Sequence, residues 1–186
     1  MQTKFDPETW LVVGAGAMGL LWSCKLRQQG LPVHLLHRQR HPEDACIVLE
    51  EQDTFHEFYV HQKSPPTLCH QYANVLFCTK AFDLVKAHGA IKPFITATAN
   101  LICLCNGMGA QQALASQITD QQTLFAGITS EGALKISLNH VKQTGTGDTF
   151  IGRLDSGSDT VPSVLTHYRC ANILEKMHLK LEYLLY

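Results

Sequence analysis

The apolar positions of this chain fall into short continuous runs, each closed by a glycine, a proline or a polar cluster. Trp10-Leu11-Val12-Val13 is the first, and its unbroken apolarity predicts a strand buried on both faces, as in a parallel sheet. A helical pattern through Leu20, Leu21, Cys24 and Leu26 follows and ends at Gly30. Val33 to His37 predicts the next strand, completing a βαβ unit. From Ile47 to Val60 apolar and polar residues alternate about Glu51-Gln52-Asp53, the pattern of a small hairpin standing off the main sheet. Ser64-Pro65-Pro66 marks a loop. Further buried strands are predicted at Val75–Cys78, Leu101–Cys105 and Leu124–Ile128, with helices over about Phe82–His88 and through Leu114 and Ile118. Beyond Gly132 the texture changes to short strands, Ala133 to Ile151, turning at Gly145-Thr146-Gly147-Asp148. Thr160–Leu165 reads as the start of a helix. Ile173, Leu174, Met177, Leu181, Leu184 and Leu185 recur at helical spacing.

The turn between the first strand and first helix reads Gly14-Ala15-Gly16-Ala17-Met18-Gly19. GxGxxG alone is a weak pattern, but strand, glycines, helix and second strand together are the context of a dinucleotide-binding Rossmann unit. There Gly14 permits the tight turn, Gly16 lets a pyrophosphate approach the backbone, and Gly19 lets the helix pack against the strand. The helix N-terminus offers free N–H groups and positive potential to the phosphates. An ordinary glycine turn is the alternative. The second strand ends in His37-Arg38-Gln39-Arg40-His41, with no acid to hold ribose hydroxyls. A guanidinium suits a 2′-phosphate that a carboxylate would repel, so NADPH is expected over NADH. The alternative for Arg38 and Arg40 is a pair of solvated loop charges.

Composition adds mostly exclusions. The 186 residues are 45% hydrophobic and 17% charged, a folding composition of one domain or one domain and part of a second. A net charge of -1 gives no reason to expect nucleic acid or an anionic membrane. No apolar run reaches the length of a membrane helix, and Met1–Trp10 lacks the features of a signal peptide, so a cytoplasmic location is expected. The 7 cysteines form no CxxC pair and read as reduced, buried thiols. His37 and His41 have no third ligand nearby, so no metal site is expected.

Further motifs then appear in order: Cys78-Thr79-Lys80-Ala81-Phe82, Asn106-Gly107-Met108-Gly109, Thr129-Ser130-Glu131-Gly132-Ala133, and Gly145-Thr146-Gly147-Asp148-Thr149-Phe150-Ile151-Gly152. With the glycine loop, this set resembles the ketopantoate reductase (2-dehydropantoate 2-reductase) family from about Trp10 to Gly152. The resemblance implies NADPH-dependent reduction of a small 2-keto acid, 2-dehydropantoate to pantoate in pantothenate biosynthesis. It implies cofactor contacts from Gly14, Ala15, Gly16, Ala17, Met18, Gly19, Arg38, Lys80, Asn106 and Ala133, with Asn106 also at the substrate. Lys80, Asn106 and Thr129 follow carboxyl ends of predicted parallel strands, where open α/β sheets bind ligands. A surface lysine and capping Asn and Thr residues are the plainer readings.

The family's general acid is a lysine on the first long helix of an all-helical second domain, and by resemblance this is Lys180, in His178-Leu179-Lys180-Leu181 after Asn172-Ile173. Lys176 is the weaker match, and a solvated helix lysine the plainer reading. His178 stands where the family has tryptophan, and Leu184 where it has a substrate-binding asparagine. The expected architecture is a Rossmann-type, doubly wound, mainly parallel α/β sheet over 1–158, with the beginning of a truncated helical domain over 159–186. The rest of that helical domain has no counterpart in the chain. The expectation is therefore NADPH binding with little ketopantoate turnover, and a homodimer formed through the apolar stripe of the C-terminal helix. A non-catalytic NADPH-binding module stays open as an alternative, as does another reductase with a similar cofactor domain, since a cofactor domain does not specify substrate.

Overall fold

A computed structural model of the chain describes residues 4–5, 7–38, 45–105, 109–154 and 166–169. After β1 (Lys4–Phe5), the first βαβ unit is β2 (Trp10–Val13), α1 (Ala17–Gln28) and β3 (Val33–Leu36), with β2 and β3 parallel. A hairpin follows, β4 (Ala45–Glu51) and β5 (Thr54–Lys63), turning through Gln52 and Asp53 at positive φ of 47° and 64°. Then come β6 (His70–Phe77), α2 (Leu84–Ile91), β7 (Ile95–Leu104), α3 (Ala110–Ala115) and β8 (Thr123–Thr129). The last described strands are β9 (Gly132–Ser137), β10 (His140–Gly145), β11 (Asp148–Arg153) and β12 (Thr166–Arg169).

The strand order is β12-β11-β8-β7-β6-β2-β3-β5-β4-β10-β9, with β1 paired to β6 off this path. Its centre, β8-β7-β6-β2-β3, is parallel throughout. Chain order reverses between β2 and β6, which makes that pair the topological switch point. Strand alternation sends Trp10, Val12, Leu35, Leu76 and Ile102 to one face with α1. Leu11, Val13, Leu36, Phe77, Leu101 and Cys103 face the other way, with Leu84 and Ile91 of α2 and Leu114 of α3. Helices thus cover both faces, the doubly wound arrangement that the apolar runs predict.

The hairpin differs from expectation. It does not stand off the sheet: β5 pairs in parallel with β3, and β10 adds in parallel to β4. Ile47, Leu49 and Val141 consequently join the core that holds Leu20 and Leu21. Gly19 through Leu26 are all buried, so α1 is enclosed rather than amphipathic. Its one buried cation, Lys25, is matched by Glu131 with Nζ–O distances of 3.0 Å to both carboxylate oxygens.

Other boundaries move by a few residues. β6 and β7 begin earlier than expected because their polar first halves still pair, Asn100 donating to Asn74 at 3.2 Å. A 3-10 turn over Ala81–Asp83 precedes α2, and α3 ends at Ala115, short of Ile118. Thr166–Arg169 lies in the stretch expected to begin a helical domain, but it is a strand paired antiparallel with β11. Residues 160–165 and the apolar stripe of 173–185 lie outside the described residues. Cys24, Cys103 and Cys105 are buried as expected, whereas Cys46 and Cys69 are exposed. Cys46 points outward from β4, and Cys69 precedes β6 in a loop. Among the described residues, no helix is long and apolar enough to cross a membrane.

Candidate dinucleotide site

The candidate site forms at the carboxyl ends of the neighbouring strands β2, β3 and β6. The three glycines of the first turn have different surroundings. Gly14 takes φ +107°, a left-handed conformation unfavourable to other residues, and a Cβ there would lie 3.1 Å from both the Cys78 carbonyl oxygen and the Thr79 methyl. At Gly19 a Cβ would lie 1.8 Å from the carbonyl oxygen of Gly14, so helix and turn touch backbone to backbone. At Gly16 a Cβ would meet nothing within 4 Å. Two glycines are therefore demanded by packing. The third, in ordinary extended geometry at the N-cap of α1, leaves open space beside the helix N-terminus. Ala15 and Met18 rest against the first core, and Ala17 opens the helix. The turn is pinned from both sides, Gly14 N–H donating to the Leu36 carbonyl at 3.2 Å and Cys78 N–H to the Val13 carbonyl at 2.9 Å.

Arg38 follows β3, its side chain 77% exposed. Its guanidinium pairs with Asp83 at 2.5 Å, which links the segment after β3 to the turn after β6. Lys80 is exposed on that same turn, and its carbonyl accepts from Asp83 N–H at 2.9 Å. Ala133, half-buried at the start of β9, packs against the core of α1. The structure thus places the glycine turn, Arg38 and Lys80 at the carboxyl ends of β2, β3 and β6, whereas Ala133 lies along α1, between the Glu131–Lys25 and Lys135–Ala15 contacts. Asn106, Lys176 and Lys180 lie outside the described residues, as do Arg40 and His41.

The remaining motif residues prove to be braces. Thr129 Oγ1 lies 2.7 Å from Thr149 Oγ1 and accepts from Glu131 N–H at 3.2 Å. Ser130 N–H donates to the Asp148 carbonyl at 3.0 Å, and Asp148 N–H returns a bond to Ser130 Oγ at 3.0 Å. A Cβ on Gly147 would sit 2.5 Å from Ser130, so the glycine allows this close approach. Burial raises the Glu131 carboxyl above its usual range, against the opposing pull of Lys25. The pair joins α1 to the head of β9. Burial also pushes the Cys24 thiol up to about 12, leaving it no thiolate at neutral pH.

Sequence reasoning missed Lys135. Its Nζ donates to the carbonyl oxygen of Ala15 at 2.8 Å, bringing a cation from β9 to the glycine turn. The two residues are 120 positions apart, and no local pattern signals the contact.

A parallel sheet wound on both faces, with a glycine turn at its switch point, defines the Rossmann-type class of α/β domain. Residues 10–156 match the family model described as "Ketopantoate reductase PanE/ApbA". The 2-dehydropantoate 2-reductase of Vibrio cholerae serotype O1 is 34% identical over 161 residues, 84% of this chain and 52% of the relative. The chain belongs to the ketopantoate reductase family, and it spans about half the length of the curated relatives it matches. Two solved structures share the fold. D-mandelate dehydrogenase with NADH and anilino(oxo)acetate has a TM-score of 0.70 at 22% identity, over 80% of this chain and 49% of that one. The 2-dehydropantoate 2-reductase from Geobacter metallireducens GS-15 has a TM-score of 0.68 at 23% identity, over 78% and 49%.

Proposed function

We propose that this chain is the cofactor-binding part of an NADPH-dependent oxidoreductase that reduces a small 2-keto acid, with 2-dehydropantoate, converted to pantoate, as the substrate. The observation that carries the reading is the contrast between the glycines: Gly14 and Gly19 are closed in by backbone, while Gly16 faces open space at the helix N-terminus. That is the shape a turn needs if a diphosphate is to lie against it. The backbone N–H groups at Ala17, Met18 and Gly19 are free of intrahelical partners in the first turn of α1 and would receive the phosphate oxygens. Arg38 would take the 2′-phosphate, Lys80 a second part of the dinucleotide, and Ala133 would line the cofactor. When bound, the nicotinamide supplies a hydride. The chain's own part in the chemistry is to orient the keto acid through Asn106 and to protonate its keto oxygen from Lys180.

The preference for NADPH rests on Arg38 and on the lack of an acid over His37–His41, where β3 ends. The structural neighbour D-mandelate dehydrogenase is a complex with NADH, so the fold by itself does not choose. A non-catalytic dinucleotide-binding module has the same site, and homodimerisation through the C-terminal stripe remains part of the proposal. NADPH oxidation by the full chain, offered 2-dehydropantoate and a panel of other 2-keto acids, separates the two. Turnover lost in Lys180→Ala supports the reductase. Tight NADPH binding with no oxidation of any keto acid supports the module.

A further inference from the structure

β9 lies along α1 in a fixed register. Near one end, Glu131 just before β9 holds Lys25 of α1 at 3.0 Å. Near the other, Lys135 of β9 holds the Ala15 carbonyl, just ahead of the helix, at 2.8 Å. Ten helical residues rise about 15 Å and four extended residues about 13 Å, so the two contacts are compatible with one straight strand against one helix. Alternation on β9 turns Leu134 and Ile136, 53% and 48% exposed, away from the half-buried Lys135. The lysine is thus aimed at the glycine turn by the strand that carries it.

We propose that Lys135 is a positioning residue for the dinucleotide's diphosphate, an inference that rests on the cofactor reading above. Its ammonium has three N–H donors, and Ala15 takes one. The partner is a neutral carbonyl rather than a carboxylate, so the positive charge at the turn is not cancelled by that contact. Ala15 immediately precedes Gly16, whose open side is where an anionic group can approach. The lysine therefore does two things. It fixes the Ala15 peptide plane, and it covers with positive charge a carbonyl dipole that would otherwise repel an arriving diphosphate. The cation comes from β9, outside the βαβ unit, and supplements the N–H groups of α1.

The test uses the full chain with Lys135→Gln and Lys135→Arg. Glutamine keeps an N–H donor for Ala15 and removes the charge; arginine keeps both. Affinities are read for NADPH, NADH and 2′-AMP, which has the 2′-phosphate but no diphosphate. Lys135→Gln is expected to weaken NADPH and NADH together by about tenfold, the scale of one charge-assisted contact. It should leave 2′-AMP within about twofold of the unsubstituted chain and lower the salt dependence of dinucleotide binding. Lys135→Arg should recover most of the loss. Unchanged dinucleotide affinity in Lys135→Gln overturns the role of Lys135, as does an equal loss for 2′-AMP, which would mean general damage to the turn. Failure of the unsubstituted chain to bind any dinucleotide overturns the cofactor reading itself.

Discussion

Replacing Gly19 with alanine sets a methyl group 1.8 Å from the carbonyl oxygen of Gly14, where ordinary contact begins near 3.4 Å. Backbone must retreat by roughly 1.6 Å, because the obstacle is a main-chain oxygen and not the end of a flexible side chain. Little gives way there. Gly14 is tied to Leu36, and its own Cβ position is already 3.1 Å from the Cys78 carbonyl. Overpacking costs about 1–3 kcal/mol, and a backbone-to-backbone clash belongs at the upper end, so about 3 kcal/mol is expected. For a domain of this size that lowers Tm by roughly 6–12 °C. Gly16→Val is the contrasting variant. Its φ of -81° and ψ of -173° suit a β-branched residue, and its Cβ meets nothing within 4 Å. Its stability should stay within about 1 kcal/mol, the scale of an altered N-cap, while dinucleotide affinity is lost to the side chain filling the diphosphate's place. Thermal melts and cofactor titration on both variants separate packing from binding. An unchanged Tm for Gly19→Ala, or undiminished dinucleotide binding by folded Gly16→Val, would refute this division of labour.

Asp83→Asn should strengthen NADPH binding severalfold and leave NADH unchanged, because it frees Arg38 from a competing carboxylate. An exposed pair is worth only about 0–1 kcal/mol, so an effect above roughly fivefold in titration calorimetry would point to another cause. His88 is buried, and neither ring nitrogen has a hydrogen-bond partner among the described residues. Burial, with Lys92 adding to it, lowers its pKa from 6.5. The unfolded chain then binds the proton more readily than the folded one, so stability should fall as pH drops below about 6.5, and His88→Leu should flatten that part of a Tm-against-pH curve.

Much of the core was legible because a parallel strand buried on both faces tends to appear as a near-continuous apolar run. Trp10–Val13 begins and ends where that pattern does. The glycine turn was legible for a similar reason, since Gly14 and Gly19 each answer a separate backbone demand and Gly16 leaves open space between them. Where polar residues open a strand, as in His70-Gln71-Tyr72-Ala73-Asn74, the pattern misleads: Tyr72 is fully buried there and accepts a place in the core. Its hydroxyl lies 2.7 Å from His34 Nδ1, a contact across strands that gives no local signal. The hairpin of β4 and β5 was visible, but not the edge it joins, because alternation fixes which face is buried and not which neighbour is paired. For the same reason Lys25–Glu131 and Lys135–Ala15, over a hundred positions apart, emerge only in the fold. The described motifs turn out to differ in kind. Those around Ser130 and Asp148 brace each other, whereas Arg38 and Lys80 project from the sheet's end, where a ligand can reach them.

The central claim, that this glycine turn and Arg38 together hold NADPH, is tested most directly by calorimetric titration of the full chain and of Arg38→Ala with NADPH and NADH. The unsubstituted chain should prefer NADPH by roughly tenfold or more, the scale of a charge-assisted phosphate contact discounted for the exposure of Arg38. Arg38→Ala should bring the two cofactors to near-equal affinity while leaving NADH binding intact. Equal affinities in the unsubstituted chain, or an undiminished preference in Arg38→Ala, would contradict it.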